Sequence, residues 1–267
     1  MARRCVGLST WFRLPDHMAR HEVLCRGSAF LVAGAAPLLI ASAHVVEPWR
    51  FPAYYPEEWV QRVGPGDVRY FLEARDASAR IEACAEARVV GAHASRDAAC
   101  LAPLEALDAL DLGALGLGRG APAAGARLSF DGHSIEDRRS GSVDGLDRDG
   151  ADPDDDRALV PRSVAGSYAR VGNAGSDAAQ HFAATESALG MGMCGGPVVV
   201  SGSGACAGMV EGVVPDGVPV VGGHAAFIAS DQLVALVAAA AAAPGAGAPR
   251  RPGRAAPYPE GLARDFI

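Results

Sequence analysis

The chain has 267 residues, of which 49% are hydrophobic and 21% charged, and its net charge is −7. A chain of this length forms one large domain or two small ones, and its apolar content is far above that of a disordered protein. Its 24 basic residues, all arginine, are outnumbered by 31 acidic residues. Because this balance is opposite to that of nucleic-acid-binding proteins, we expect no nucleic-acid partner.

The N-terminal residues, 1–22, are interpreted as an extension that precedes the first domain. Their first 14 residues hold three Arg and no acidic residue. Mitochondrial presequences and ordinary solvated extensions share this composition, so both interpretations stay open. The six cysteines form no C-x-x-C pair. This pattern favours free thiols in a reducing, intracellular compartment, with mitochondria or another organelle included.

An apolar run at residues 29–43 is the only candidate for a membrane or signal segment. It contains Pro37 and is shorter than the ~20 residues that a spanning helix needs. It also lies too far along the chain for a secretory signal, in which the basic region directly precedes the apolar stretch. We therefore expect no membrane span and interpret the run as two buried strands joined by a turn at residues 34–37.

The first half of the chain predicts short strands separated by glycine and proline, a pattern typical of a sandwich or a barrel. Strand-like runs between residues 23 and 46 precede a rigid aromatic loop at 48–56 and two longer runs, DVRYFLEAR and RIEACAEARVVGA. A low-complexity stretch at 107–125 is predicted to be the linker between two halves. Residues 23–118 are therefore predicted to form an N-terminal β-barrel.

The second half, residues 119–243, is predicted to form a C-terminal barrel. Its strand-like runs are ARLSFDG, SVAGSYARV, HFAATES, GGPVVV, AGMVEGVV, VPVVGG and HAAFIAS. A helix from Asp231 to about Ala243 follows, and the tail, 244–267, has the composition of a disordered segment. An acidic insert at 134–157 lacks the regular D-x-D-x-D-G spacing of a calcium loop, so we predict no metal site.

The segment most informative about chemistry is GMCGGP at residues 192–197. Glycine adopts backbone conformations that other residues resist, so Cys194 is predicted to lie at a tight turn with its side chain exposed. Backbone N–H groups that converge at such a turn hold the oxyanion of acyl transfer. A cysteine beside a base is also a stronger nucleophile than serine.

This segment resembles the nucleophile motif G-x-S-G-G-P of the trypsin-like (chymotrypsin-fold, PA clan) peptidases, with Cys in place of Ser. Two further motifs resemble the family in its own order. LLIASAHVV puts His44 where the family has its base, and DAACL puts Asp97 in the D-x-A-x-L pattern that carries its aspartate. GSAFLV, GACAGMVEGVV and HAAFIASDQLVALV resemble neighbouring strands and the C-terminal helix, so the resemblance spans about residues 23–240.

The resemblance implies an all-β fold of two six-stranded Greek-key barrels with a short C-terminal helix. It also implies an endopeptidase that hydrolyses bonds in a peptide or protein substrate without a cofactor or metal. Cys194 would be the nucleophile, His44 the general base and Asp97 the group that orients the base. The backbone N–H groups of Gly192 and Cys194 would form the oxyanion hole.

Several features distinguish the chain from secreted trypsins. It contains no Ile-Val-Gly-Gly segment, Met193 replaces the acidic residue used in zymogen activation, and Val45 stands where a disulfide partner is expected. The chain is therefore more similar to the intracellular, HtrA-like branch of the family.

Three residues are candidates for the substrate pocket that the resemblance implies. Ala188 would lie near the base of the primary pocket, Glu211 on the strand beside it, and His224 facing it. A carboxylate at the pocket edge favours Arg or Lys in the substrate, by charge pairing. The alternative for each of the three is an ordinary surface position.

The change from Ser to Cys also leaves a second function open, that of a catalytically inactive pseudoprotease. Such a protein would be a protein-binding or scaffold subunit of a larger assembly, with the tail at residues 244–267 docking on the partner. A protease needs an open cleft beside its nucleophile. A scaffold tolerates a collapsed oxyanion loop, or a cleft filled by the tail or by the aromatic loop at 48–56.

Overall fold

The computed structural model describes residues 2–19, 21–118, 120–137, 157–172 and 179–243. These residues form two closed barrels of six antiparallel strands each, and one longer helix follows the last strand. The prediction of an all-β protein with two six-stranded barrels and a C-terminal helix is confirmed.

The first barrel consists of the strands β1 (Val6–Phe12), β2 (Glu22–Val32), β3 (Leu38–Ala41), β4 (Val68–Arg75), β5 (Ile81–Ala92) and β6 (Ala99–Pro103). They close in the order β1-β2-β3-β6-β5-β4, so β3 pairs with β6 and not with its successor in the chain. A single helical turn, α1 (Ala43–Val46), follows β3. Buried aliphatic side chains, among them Leu8, Leu39 and Leu72, fill the interior.

Strand β1 lies within residues 1–22, which the sequence analysis treated as an extension. All seven of its residues are buried, and it pairs with β2 on one side and β4 on the other. Its polar residues are satisfied internally: Ser9 donates to Glu73, and Thr10 donates to the Val45 carbonyl at 2.6 Å. The first barrel therefore begins before residue 23. These buried polar residues interrupt the hydrophobic pattern and hide the strand.

The second barrel consists of the strands β7 (Arg127–Asp137), β8 (Arg157–Gly172), β9 (Gln180–Thr185), β10 (Pro197–Val200), β11 (Cys206–Val213) and β12 (Ala225–Ala229). Its closed order is β7-β8-β9-β12-β11-β10, which repeats the order of the first barrel. The two halves of the chain are thus built on one plan.

The C-terminal helix, α2 (Ser230–Ala242), begins directly after β12. At its start the Ala229 N–H donates to the Gln232 side chain at 3.2 Å, which satisfies one of the N–H groups that a helix leaves open. Leu233 and Leu236 of the helix pack with Ile40 of the first barrel in one buried cluster. The helix therefore joins the second barrel to the first.

One predicted strand is wrong. The run VPVVGG lies in a loop of turns at residues 214–224. Val220 there has a φ of 73° and is 75% exposed. A β-branched residue in this left-handed conformation cannot continue a strand, although its composition favours one.

The linker predicted at residues 107–125 connects the two barrels. Single backbone bridges join Leu115 to Val32 of the first barrel and Leu117 to Cys206 of the second. The middle of the acidic insert, 138–156, and the tail predicted at 244–267 lie outside the described residues. Among the residues that are described, no helix is long and apolar enough to cross a membrane.

Candidate functional site

The barrel topology explains how His44 meets Asp97. Strands β3 and β6 are antiparallel neighbours, and Ala41 at the end of β3 pairs with Ala99 at the start of β6. His44 lies in α1, just after β3, and Asp97 lies in the turn just before β6. The segments that carry the two side chains therefore leave the barrel side by side.

Both carboxylate oxygens of Asp97 contact His44. The backbone N–H of His44 donates to Oδ1 at 2.7 Å, and Nδ1 of its ring lies 2.6 Å from Oδ2. The side chains are 14% and 9% exposed, so little water competes for these bonds. Because a carboxylate is an acceptor, the proton of the neutral ring is placed on Nδ1.

The electrostatic surroundings of His44 connect it to Cys194. Burial alone would lower the pKa of His44, but the interactions with Asp97 and with the Cys194 sulfur outweigh burial and raise this pKa to about 10. His44 and Cys194 also line the same cleft. The structure brings together the three residues to which the sequence analysis assigned the triad.

The loop that carries Cys194 depends on its glycines. Gly192 and Gly195 have φ values of 89° and 87°. A Cβ on Gly195 would also collide with the Ser28 carbonyl oxygen and would lie 2.8 Å from the Ser42 nitrogen. Only glycine fits both the conformation and the space.

Hydrogen bonds to both barrels hold this loop. The Ser28 N–H donates to the Cys194 carbonyl at 3.0 Å, and the Gly195 N–H donates to the Val210 carbonyl at 3.0 Å. The Ser28 hydroxyl donates to the Gly192 carbonyl at 2.8 Å. Ser28 is a positioning residue that sequence reasoning missed, although its strand was noted in GSAFLV.

The backbone N–H groups of Gly192 and Cys194 were predicted to form an oxyanion hole. Within the part of the chain that the structure describes, neither group donates a hydrogen bond to a backbone carbonyl. Both residues line the cleft beside His44. The two donors are therefore unengaged next to the thiol, and their use as an oxyanion hole stays a prediction.

A cleft with a volume of about 420 Å³ lies between the barrels at this point. Residues of both barrels line it, and His44 and Cys194 lie at its wall. The other lining residues are Val23, Leu24, Cys25, Arg26, Tyr54, Tyr55, Ile135, Arg157, Met191, Gly192, Glu211, Gly212 and Val213. The thiol therefore borders a space that the described residues leave open.

Two aromatic side chains of the loop at residues 48–56 pack on His44. The ring centroid of Tyr54 lies 5.1 Å from that of His44, and Phe51 lies 6.2 Å from it in an edge-on arrangement. Tyr54 is itself 63% exposed, whereas the His44 side chain that it packs against is 14% exposed. The sequence analysis gave this rigid aromatic loop no catalytic role and considered it as a segment that would fill the cleft of a scaffold.

Of the three predicted pocket residues, Glu211 lines the cleft. Its carboxylate is already engaged: Gln180 Nε2 donates to Oε2 at 2.6 Å, and Arg96 Nη2 lies 3.5 Å from the same oxygen. Ala188 is exposed and His224 is half-buried. Neither of these two is among the described residues that line the cleft.

All six cysteines are free, as the sequence predicted. Cys25 shares the cleft with Cys194, but its thiol donates to the Val45 carbonyl at 2.9 Å and burial raises its pKa to about 12. Burial also raises the pKa of Cys206 to about 11. Cys194 is thus the cleft cysteine with an imidazole beside it. No group of three or more potential metal ligands occurs among the described residues.

Comparison with models of known protein families gives no match to this chain, and comparison with curated proteins gives none either. The two closed six-stranded barrels are consistent with a chymotrypsin-like fold.

Proposed function

We propose that this protein is a trypsin-like endopeptidase in which Cys194, His44 and Asp97 act as nucleophile, general base and orienting group. The observation that carries the proposal is the double contact of Asp97 with His44, combined with the placement of His44 and Cys194 at the wall of one cleft. Such a carboxylate–imidazole–nucleophile array is a recurrent solution for acyl transfer.

In the proposed reaction His44 carries each proton between Cys194, the leaving amine and water. With its pKa raised to about 10, His44 holds the proton taken from Cys194 on Nε2, as the imidazolium of an ion pair. The thiolate of this pair attacks the scissile carbonyl carbon while the Gly192 and Cys194 N–H groups hold the oxyanion. The C–N bond then breaks, and His44 gives the proton to the departing amine. A water molecule, deprotonated by His44, hydrolyses the thioester and frees Cys194.

The cleft is the second support for this function. Its walls combine aliphatic and aromatic side chains with unengaged backbone donors beside the thiol. A peptide in extended form requires this combination of apolar contact and backbone hydrogen bonding. The substrate class that fits is a peptide or an exposed protein segment.

The competing function is the inactive scaffold. One contact favours it: the Cys194 thiol lies 3.4 Å from the Glu211 carbonyl oxygen, an acceptor that cannot remove its proton. A thiol held there, and not activated by His44, would react slowly.

Alkylation of the full chain with iodoacetamide, followed by site-resolved mass spectrometry, tests the proposal. We expect Cys194 to react much faster at pH 7 than Cys25, which lines the same cleft, and we expect His44→Ala to abolish the difference. Digestion of a mixed peptide library should depend on Cys194 and stop in Cys194→Ala. Equally slow alkylation at both cysteines, with no peptide cleaved, would favour the scaffold.

A further inference from the structure

A second cavity of about 420 Å³ shares no described lining residue with the cleft. It is formed by the segment before β1, the end of β4, and the facing strands β7 and β8. Arginine dominates its lining, with Arg3, Arg4, Arg75 and Arg162 around it. Asp131 is the one acidic residue among its described lining residues.

Three of these arginines keep unused hydrogen-bond donors. Arg4 is bonded through Nη1 to Asp131 at 3.1 Å, and Arg3 is bonded through Nη2 to Glu82. Arg162 bonds Glu136 through Nε and Nη2. A guanidinium carries five N–H donors in a planar fork. Most of the donors of these partly exposed side chains therefore remain available to a ligand.

The carboxylates nearby do not fill the cavity. Glu82 and Glu136 pair with their arginines but are not among the described residues of the lining. Asp131 is already engaged, because the hydroxyls of Ser129 and Ser163 donate to its Oδ1 at 2.7 and 2.6 Å while Arg4 binds Oδ2. The cavity wall consequently presents donors in excess of acceptors.

A buried histidine lies in the same wall. His133 lines the cavity, is 2% exposed, and has no hydrogen-bond partner for Nδ1 within the described residues. Buried polar atoms in proteins nearly always have a partner. Nδ1 is itself buried, and burial lowers the pKa of His133 to about 4, so at neutral pH the ring adds no positive charge to that of the arginines.

We propose that this cavity is a binding site for a small polyanion bearing phosphoryl groups. Guanidinium groups match the oxygen geometry of phosphate and bind it through two bonds at once. The unused donors come from two separate parts of the chain, the Arg3–Arg4 segment and Arg162 of β8, which suits a group with several charged oxygens. The site does not depend on the proposed peptidase activity, because the two cavities have no residue in common.

Isothermal titration calorimetry of the full chain with inorganic pyrophosphate, in a chelator-containing buffer of constant ionic strength, tests the site. We expect saturable one-site binding that is at least about tenfold weaker in the double variant Arg3→Gln/Arg4→Gln, since each charged hydrogen bond contributes about a factor of ten. Arg162→Gln, in strand β8, should also weaken binding. Arg80→Gln is the matched control, because Arg80 is exposed, is paired with Asp76 and does not line the cavity.

Thermal melting without ligand checks that each variant is folded. The proposal is overturned if pyrophosphate gives no heat beyond that of chloride at the same ionic strength. It is also overturned if the double variant binds as tightly as Arg80→Gln. Citrate that binds as tightly as pyrophosphate would reject the phosphoryl assignment.

Discussion

Both carboxylate oxygens of Asp97 bond to His44: one accepts the backbone N–H at 2.7 Å, and the other lies 2.6 Å from Nδ1. The first bond fixes the position of α1, and the second fixes the rotation of the ring. Since the carboxylate accepts at Nδ1, the lone pair of the neutral ring lies on Nε2, which is the nitrogen available to a proton from Cys194.

The double contact predicts the effect of Asp97→Asn. The asparagine oxygen can still accept the backbone N–H of His44, but its NH2 group then faces Nδ1 and stabilises the other ring tautomer. We expect peptide hydrolysis to fall by about three to four orders of magnitude, with a melting temperature close to that of the parent. Steady-state kinetics and thermal unfolding of the same preparation measure both quantities; hydrolysis within tenfold of the parent rate contradicts the orienting role.

The raised pKa of His44 predicts how stability depends on pH. Unfolded, His44 titrates near 6.5; in the folded protein burial would lower its pKa, but Asp97 and Cys194 outweigh burial and raise it to about 10. The folded state therefore binds this proton more tightly, and the stabilisation is complete below the unfolded pKa and is lost as pH rises through the folded one. Urea unfolding across this range should show the free energy of unfolding of the parent converging on that of His44→Asn. Parallel curves for the two proteins would contradict the shift.

Gly195, which directly follows Cys194, predicts a large effect of a single added methyl group. Gly195→Ala adds a Cβ against Ser28 and Ser42 at a φ of 87°. We expect it to lose more stability than the strain alone, which costs about 1–3 kcal/mol, and to slow alkylation of Cys194. Gly202→Ala is the matched control, since Gly202 has a φ of 92° and nothing lies within 4 Å of an added Cβ. Equal losses in the two variants, measured by urea unfolding, would show that the close packing of the loop is unimportant.

The ion pair between Glu73 and Arg75 at the end of β4 predicts that substitutions of the two residues have non-additive effects on the free energy of unfolding. The side chains of Glu73 and Arg75 are 0% and 3% exposed, and Arg75 Nε donates to Glu73 at 2.7 Å. Arg75→Met removes the nearest positive charge from a buried carboxylate, so we expect a loss of about 3–5 kcal/mol. Adding Glu73→Gln should recover much of that loss because the buried charge is then absent. Urea unfolding of the two single variants and the double variant measures the coupling; losses that simply add would exclude it.

The bonds of Glu211 predict its part in substrate choice. Gln180 and Arg96 already occupy the carboxylate, so little of its charge is left for a basic substrate side chain. We expect Glu211→Gln to leave the ratio of kcat/KM for arginine-containing and leucine-containing peptides unchanged. A selective loss for the arginine peptide would instead support the pocket role that the resemblance implies.

The local signals in the sequence were sufficient for most of the strands and for the proposed triad. The motif GMCGGP predicts a tight turn around Cys194, and the glycines at 192 and 195 adopt the left-handed conformations that such a turn requires. ASAH and DAACL are adjacent to apolar runs, and these became the paired strands β3 and β6. Short motifs beside strands were therefore predictable from composition and order.

Interactions between distant segments were not predictable in this way. Ser9 in β1 looks polar in the sequence and is buried only because Glu73 accepts its hydroxyl. Arg96 meets Glu211 across the junction of the barrels, and no local pattern marks either residue as a partner of the other. The arginines of the second cavity are likewise far apart in the chain, and only the closure of the barrels brings them together.

The two barrels share one strand order. They contribute different residues to the proposed site: His44 and Asp97 come from the first barrel, and Cys194 and Gly192 come from the second. Two fragments produced by cutting the connection near Leu117 would each hold an incomplete set. Turnover in a mixture of such fragments would then measure their reassociation directly, which makes the proposed peptidase suitable as a split reporter of its own folding.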